Sequence, residues 1–136
     1  MQLVEHPPSV AIVAVDGDEL VLVRQTRPGA SERTLELPSG KLEPGETPRD
    51  AAARELAEEC GLAAGTYRKI GSFWAVPAYS TEYVHVFEAT ALASVPAVAM
   101  DDDEDVDVER VPVSQGLEAL SDAVSVAALA LWQRRR

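Results

Sequence analysis

The chain has 136 residues, a formal net charge of −11 and a single cysteine, Cys60. This length predicts one domain over residues 1–136 with a buried core, and the acidic balance argues against nonspecific nucleic-acid binding, which depends on basic surface. No apolar run reaches the roughly 18 residues of a membrane span, the N-terminus lacks a signal-peptide pattern, and one cysteine permits no internal disulfide, so we expect a cytoplasmic protein with no membrane partner.

The first part of the chain predicts a β-hairpin followed by a short strand. Ser9–Val15 and Leu20–Arg24 are rich in residues that favour strands, and Asp16-Gly17-Asp18 between them favours a turn. Thr34–Leu37 then indicates a short strand that leads into a loop.

The next segment carries local signals at both ends of a helix. Glu43-Pro44-Gly45-Glu46 favours a β-turn, because proline sets φ at the second position and glycine tolerates φ > 0 at the third. Thr47 is a good N-cap and Pro48 a good first helical residue, whereas Gly61 suits the left-handed residue that ends a helix. The segment therefore predicts a loop, a helix and a stop.

Three glutamates share one face of this predicted helix. Glu55 and Glu59 are four residues apart, and Glu55 and Glu58 three. Like charges at that spacing weaken a helix, so the cluster needs an explanation other than stability. Hard divalent cations such as Mg²⁺ supply one, since they prefer oxygen ligands and share them with substrate phosphates. For an isolated pair of glutamates, a solvated helix face is the alternative.

The second half of the chain predicts three more strands and a final helix. Tyr67–Ala75 and Tyr83–Ala91 alternate well enough to be strands, and Val106–Val113 suggests a late one. Ser121 is a suitable N-cap for a last helix whose apolar stripe continues to Leu131. This order predicts an α/β fold with a mixed sheet between helices.

The predicted helix and its flanks also contain a specific pattern of residues. The fixed identities are Gly40, Glu46, Arg54, Glu55, Glu58, Glu59 and Gly61, with aliphatic residues at Leu56 and Leu62. This pattern resembles the signature of the Nudix hydrolases, and the resemblance covers almost the whole chain. It implies an α/β/α sandwich with a mixed β-sheet and metal-dependent hydrolysis of a nucleoside diphosphate linked to another group.

The resemblance assigns roles to the residues of the signature. It implies metal ligation by Glu55, Glu58, Glu59 and the backbone carbonyl of Ser39, with two or three Mg²⁺ ions or Mn²⁺ as a substitute. Arg54 is expected to orient these glutamates and to reach back to Glu46. Gly40 is assigned to the substrate site, and Glu46 and Gly61 are expected to be structural.

Three features outside the helix resemble the ADP-ribose pyrophosphatase subfamily. Pro77 lies sixteen residues past Gly61, where that subfamily has a marker proline. Arg24-Gln25-Thr26-Arg27 resembles a segment whose last arginine contacts substrate phosphate, and Leu35–Lys41 resembles the entry into the signature. The alternatives are an ordinary loop proline and a solvated arginine at a strand end.

The sequence does not decide which carboxylate accepts a proton from water. The resemblance aligns Asp103-Glu104-Asp105-Val106 with a loop whose glutamate activates water, which points to Glu104 as the base or as a further metal ligand. A solvated acidic loop is the alternative. Glu82 is a second possibility, because it follows Pro77 by a few positions, and Glu58 is a third.

Adenine recognition is also left open. Typical ADP-ribose pyrophosphatases have several dozen residues before the first core strand, and these help to form a dimer and part of the adenosine pocket. Here Ser9 begins that strand, so we expect Trp74 or Tyr79 to offer a stacking surface instead, with buried packing as the alternative for Trp74. A homodimer is left open.

The expected activity is conversion of ADP-ribose, a small-molecule nucleotide, to AMP and ribose 5-phosphate. One alternative within the family is a nucleoside-triphosphate pyrophosphohydrolase that sanitises the nucleotide pool and releases pyrophosphate. A second alternative is a nucleotide-sensing module of the same fold without turnover, although the complete set of glutamates favours catalysis.

Overall fold

A computed structural model describes residues 2–96 and 105–136. The strands in this part of the chain are β1 (Ser9–Asp16), β2 (Glu19–Gln25), β3 (Thr34–Glu36), β4 (Ser39–Lys41), β5 (Leu62–Trp74), β6 (Tyr83–Ser94) and β7 (Val106–Pro112). The helices are α1 (Pro48–Cys60), α2 (Gly116–Ala119) and α3 (Ala123–Arg134), with a 3₁₀ turn at Val113–Gln115. None of the helices in the described ranges is long and apolar enough to cross a membrane.

The strands form one mixed sheet in the order β3-β2-β1-β6-β5, with β4 paired to β1 and β7 paired to β2. The β1–β6 pair is parallel, and the other pairs are antiparallel. Strand β1 changes partner along its length: Ala14 to Asp16 pair with β2, whereas Ser9 to Ala11 pair with β4. The sheet therefore divides at β1, and a cleft is built next to this division.

The apolar residues of β1 fill a core on each face of the sheet. Val10 and Ile12 pack in a buried cluster with Leu56 of α1. Ala11 and Val13, which alternate with them, pack in a second buried cluster with Trp132 of α3. Because successive side chains of a strand point to opposite faces, a strand covered by helices on both sides reads as continuously apolar. The predicted α/β/α sandwich is confirmed.

Helix α1 begins and ends where its sequence predicted. The Thr47 side chain accepts a hydrogen bond from the Asp50 backbone N–H at 3.1 Å, and Pro48 occupies the first turn. Gly61 has φ 65° and ψ 34°, the left-handed conformation in which a residue with a Cβ is strained. These local signals fix how far α1 extends and therefore which of its residues reach the cleft.

Several features of the fold differ from the prediction. Strand β5 begins at Leu62, directly after Gly61, and not at Tyr67; pairing with β6 extends it through alanines and a glycine that do not favour strands. Strand β4 was not predicted at all. The N-cap of α3 is Asp122 and not Ser121, since the Asp122 carboxylate accepts the Ser125 backbone N–H at 3.2 Å.

Ser121 instead helps to satisfy the outer edge of β3. Its hydroxyl accepts a hydrogen bond from the Leu35 backbone N–H at 3.0 Å, and the Ser125 hydroxyl accepts one from the Leu37 N–H at 3.0 Å. Side-chain hydroxyls thus replace the neighbouring strand that this edge lacks. The start of α3 and β3 are held together at the cleft wall.

Candidate active site

A cleft of about 990 Å³ opens next to the division of the sheet. Its walls come from the segment after β2, from β3 and β4, from α1, and from the starts of β7 and α3. The sequence-predicted residues that line it are Arg27, Ser39, Gly40, Glu55, Glu58, Glu59 and Glu82. Residues that are distant in the chain are therefore brought together around one space.

Arg54 links the glutamates of α1 to the preceding loop. Its guanidinium donates hydrogen bonds to Glu46 at 2.7 and 2.9 Å, to Glu55 at 2.8 Å and to Glu58 at 3.2 Å. A further bond at 2.9 Å goes to the backbone carbonyl of Lys41 in β4. The predicted reach from Arg54 to Glu46 is present. The Arg54 guanidinium thus orients two glutamates of the cleft and anchors the preceding loop.

Glu46 is the residue that fixes Arg54 most firmly. The hydrogen bonds from Arg54, with a further one from the Glu43 backbone N–H, lower the pKa of Glu46 to about 2. The same bonds raise the pKa of Arg54. The pair is therefore fully ionised at neutral pH, as expected for a structural part of the signature.

Glu59 lies deeper in the cleft than the other two glutamates of α1. Its carboxylate accepts the Ser39 backbone N–H at 2.9 Å. Burial raises the pKa of Glu59 to about 8, and the neighbouring Glu55 adds to the effect. Burial also raises the pKa of Glu55. Both shifts arise mainly because burial removes these carboxylates from water, with their mutual repulsion adding to it.

Gly40 leaves the space in which the Glu55 carboxylate lies. A Cβ at position 40 would come within 2.1 Å of the Glu55 carboxyl carbon and of one of its oxygens. No real Cβ tolerates such a distance, so any side chain here would displace that carboxylate. The first glycine of the signature therefore permits close approach of β4 and α1.

The donor set suits a hard divalent cation. Glu55, Glu58 and Glu59 offer carboxylate oxygens, the ligand type that Mg²⁺ and Mn²⁺ prefer. Within residues 2–96 and 105–136, however, no three acidic, histidine or cysteine side chains are gathered in ligating geometry. Glu55 and Glu58 are turned to Arg54, and Glu59 to the Ser39 N–H. Ligation would require these oxygens to exchange hydrogen bonds for the cation.

Arg27 lies on the cleft wall formed by the segment after β2. Its guanidinium donates to both carboxylate oxygens of Glu36, at 2.9 and 2.8 Å, and Thr34 donates to the same carboxylate at 2.5 Å. Burial opposes ionisation of Glu36, but these hydrogen bonds outweigh it, so the pKa of Glu36 lies below its ordinary value. Arg27 is therefore held by an ionised, buried partner.

Glu82 reaches the cleft from the segment before β6. The hydroxyl of Ser9, a buried residue of β1, donates to the Glu82 carboxylate at 2.6 Å. The His6 imidazole lies 4.0 Å from the same oxygen. Glu82 thus shares one cavity with the glutamates of α1 while its position is fixed from β1.

Four predicted residues lie away from this cleft or outside the described ranges. Pro77 and Trp74 do not line the cleft, and neither does Tyr79, although Trp74 is 58% exposed and Tyr79 53%. Their contribution to substrate binding stays a prediction. Glu104 lies outside residues 2–96 and 105–136. Cys60 packs beside the apolar cluster of α1, where burial raises its pKa to about 12, so the thiol stays protonated and acts as a packing group rather than a nucleophile.

Sequence reasoning missed several polar residues of the cleft. Glu36 is only 4% exposed, and its position between Leu35 and Leu37 in a short strand was a signal for a buried, paired carboxylate. Asp122 lines the cleft, and one of its buried oxygens has no hydrogen-bond partner among the described residues. His6 also lines the cleft. Nothing in the positions of Asp122 and His6 along the sequence indicated that they line the cleft.

Known proteins share the fold and the sequence pattern of this chain. The NUDIX domain family matches residues 5–130. An ADP-ribose pyrophosphatase of Bacillus subtilis (strain 168) is 39% identical over 119 residues, which are 86% of this chain and 64% of that protein. A methanol dehydrogenase activator of Bacillus methanolicus is 33% identical over 123 residues, 89% of this chain and 66% of that protein.

A solved structure of an ADP compounds hydrolase superposes with a TM-score of 0.85 at 28% identity, covering 94% of this chain and 71% of that chain. The chain spans less than two thirds of the length of the Bacillus subtilis relative. The match to the NUDIX family nevertheless extends over nearly all of the chain and includes every residue of the signature. The chain therefore belongs to the Nudix family.

Proposed function

We propose that this protein hydrolyses a nucleoside diphosphate linked to another group, with ADP-ribose as the substrate and AMP and ribose 5-phosphate as the products. The observation that carries the proposal is that one cleft contains Glu55, Glu58 and Glu59 together with Arg27. The similarity to a protein named ADP-ribose pyrophosphatase supports the choice of substrate.

A divalent cation, Mg²⁺ or Mn²⁺, is part of this proposal. Glu55, Glu58 and Glu59, with the Ser39 carbonyl, would hold it. When bound, it would neutralise phosphate charge and acidify water. The need for it follows from charge balance, because the protein carries −11 overall and Glu55, Glu58 and Glu59 line one cleft. A dianionic diphosphate would otherwise be repelled by the ionised carboxylates of this cluster.

Arg27 is proposed to bind a phosphate of the substrate. Its side chain is 46% exposed at the cleft. Two of its nitrogens, Nε and Nη2, donate to Glu36, whereas Nη1 makes no hydrogen bond to any residue that the structure describes. The free edge of a guanidinium suits phosphate oxygens, because its planar N–H groups match their geometry.

Glu82 is proposed as the group that accepts a proton from the attacking water. It lines the same cavity as the α1 glutamates, and the Ser9 hydroxyl fixes its carboxylate at 2.6 Å. A base must lie within hydrogen-bond reach of the water or act through one intervening water. Glu104 and Glu58 are the alternatives, and matched variants separate the three.

Product analysis tests the proposal. Purified protein with ADP-ribose and excess Mg²⁺ should yield equal amounts of AMP and ribose 5-phosphate, resolved by ion-exchange chromatography, and no inorganic pyrophosphate. Glu118→Gln, an exposed residue of α2, is the matched control for glutamate variants of the cleft. Release of pyrophosphate from a triphosphate, without turnover of ADP-ribose, would replace the proposal with nucleotide-pool sanitation.

A further inference from the structure

The pairing of Arg27 with Glu36 is the feature of the cleft wall that the chemistry described so far does not explain. Glu36 is 4% exposed and meets both edge nitrogens of the guanidinium. A buried carboxylate on the wall of a cleft for an anionic substrate would repel that substrate. Its charge is compatible with the site only if Arg27 compensates it.

Stability does not account for this pair. Burying the Glu36 carboxylate costs hydration free energy, and its attraction to the half-exposed Arg27 guanidinium recovers little more than that cost. An ionised Glu36 in β3, with Leu35 and Leu37 on either side, is therefore better explained by what it does to Arg27.

Glu36 itself is rigidly held. Thr34 donates a hydrogen bond to its carboxylate at 2.5 Å, and Glu36 pairs with Val23 in the ladder between β2 and β3. The Ser121 and Ser125 hydroxyls accept the N–H groups of the residues before and after Glu36, each at 3.0 Å. A carboxylate fixed in this way can define the orientation of a long, otherwise mobile arginine side chain.

We propose that Glu36 is a positioning residue, which holds the Arg27 guanidinium so that its Nη1 edge faces a phosphate of the bound nucleotide. This inference rests on the proposed function, in which Arg27 binds that phosphate. Glu36 acts through Arg27 and does not touch the substrate. Thr34 supports it by fixing the carboxylate oxygen that also accepts from Nε of Arg27.

The chain contains a matched control for this pair. Arg24, three residues before Arg27, donates to both carboxylate oxygens of Glu109 in β7. Neither residue lines the cleft. The two pairs have the same donor nitrogens and neighbouring places at the end of β2, but only Arg27 and Glu36 line the cavity, and the Glu109 side chain is 37% exposed against 6% for Glu36.

Steady-state kinetics with ADP-ribose and Mg²⁺ test the inference. In Glu36→Gln the KM should rise between about 10-fold and 100-fold, the range expected when a charge-assisted hydrogen bond is lost, while kcat changes less. Thr34→Val should move KM in the same direction by a smaller factor. Glu109→Gln should leave both constants within about twofold of the parent.

A double-mutant cycle separates positioning from general destabilisation. Lysine at position 27 cannot form the two-bond contact with Glu36. In the Arg27→Lys background, Glu36→Gln should therefore change KM by less than about twofold, because there is no oriented guanidinium left to lose. If Glu36→Gln instead destabilised the fold in general, it would change KM by a similar factor in the parent and in the Arg27→Lys background. Thermal melting of every variant checks that it folds, and Thr34→Val carries the test if Glu36→Gln does not fold.

Binding of α,β-methylene-ADP, a diphosphate that cannot be cleaved, gives a readout independent of turnover. If the parent hydrolyses ADP-ribose but Glu36→Gln and Glu109→Gln behave alike, the role of Glu36 is overturned and the proposed function stands. If the parent does not hydrolyse ADP-ribose, yet Glu36→Gln weakens binding of the probe and Glu109→Gln does not, the proposed function fails and the positioning role stands. A KM that falls in Glu36→Gln, or a parent that does not bind the probe, would overturn the positioning role.

Discussion

Gly40→Ala isolates the contribution of one carboxylate position to catalysis. The added Cβ would come within 2.1 Å of the Glu55 carboxyl carbon, and an ordinary contact begins at 3.4 Å, so the carboxylate must move by at least 1.3 Å. Gly40 does not have a positive φ, so alanine introduces no backbone strain. The perturbation is therefore confined to the placement of Glu55.

We expect kcat for ADP-ribose to fall about 100-fold, because a misplacement of about 1 Å at a reacting site has this cost. The melting temperature without metal should change little, since the displaced group is the end of a flexible side chain. Activity of Gly40→Ala within about twofold of the parent would refute the placement of Glu55 at the reacting site.

The remaining predictions concern the metal and the base. Glu59→Gln should lower kcat by orders of magnitude and barely change the melting temperature in EDTA, because glutamine still accepts the Ser39 N–H; activity equal to that of Glu118→Gln, or parent activity in excess EDTA, would contradict it. Burial raises the pKa of Glu59 to about 8, so the carboxyl is protonated below that pH and metal binding must release a proton. Apparent Mg²⁺ affinity, measured by titration, should therefore rise as pH increases to about 8 and then level off, and a flat profile would contradict the burial. Glu82→Gln should reduce kcat with KM nearly unchanged, whereas a loss seen only in Glu104→Gln would move the base to the acidic loop.

Features that depend on neighbouring residues in the chain could be predicted from the sequence. Helix α1 has its N-cap at Thr47 and its end at Gly61 because capping and left-handed conformation are local properties. The common face of Glu55, Glu58 and Glu59 follows from helical spacing. The helix and its face of glutamates are therefore predictable from local sequence alone.

Features that depend on tertiary contacts could not be predicted in this way. The Ser9–Glu82 hydrogen bond joins residues 73 positions apart, and the Arg27–Glu36 pair requires β2 and β3 to be in register. The first residues of β5 are weak strand formers that pairing with β6 overrides. Which carboxylates meet across the cleft is thus decided by strand pairing rather than by local sequence.

The most direct test of the central claim compares kcat/KM for ADP-ribose and for nucleoside triphosphates under the same Mg²⁺ conditions. A cleft in which the α1 glutamates and Arg27 act on a diphosphate bridge should favour ADP-ribose over every triphosphate. A preference of tenfold or more for a triphosphate, with pyrophosphate as the product, would contradict this account.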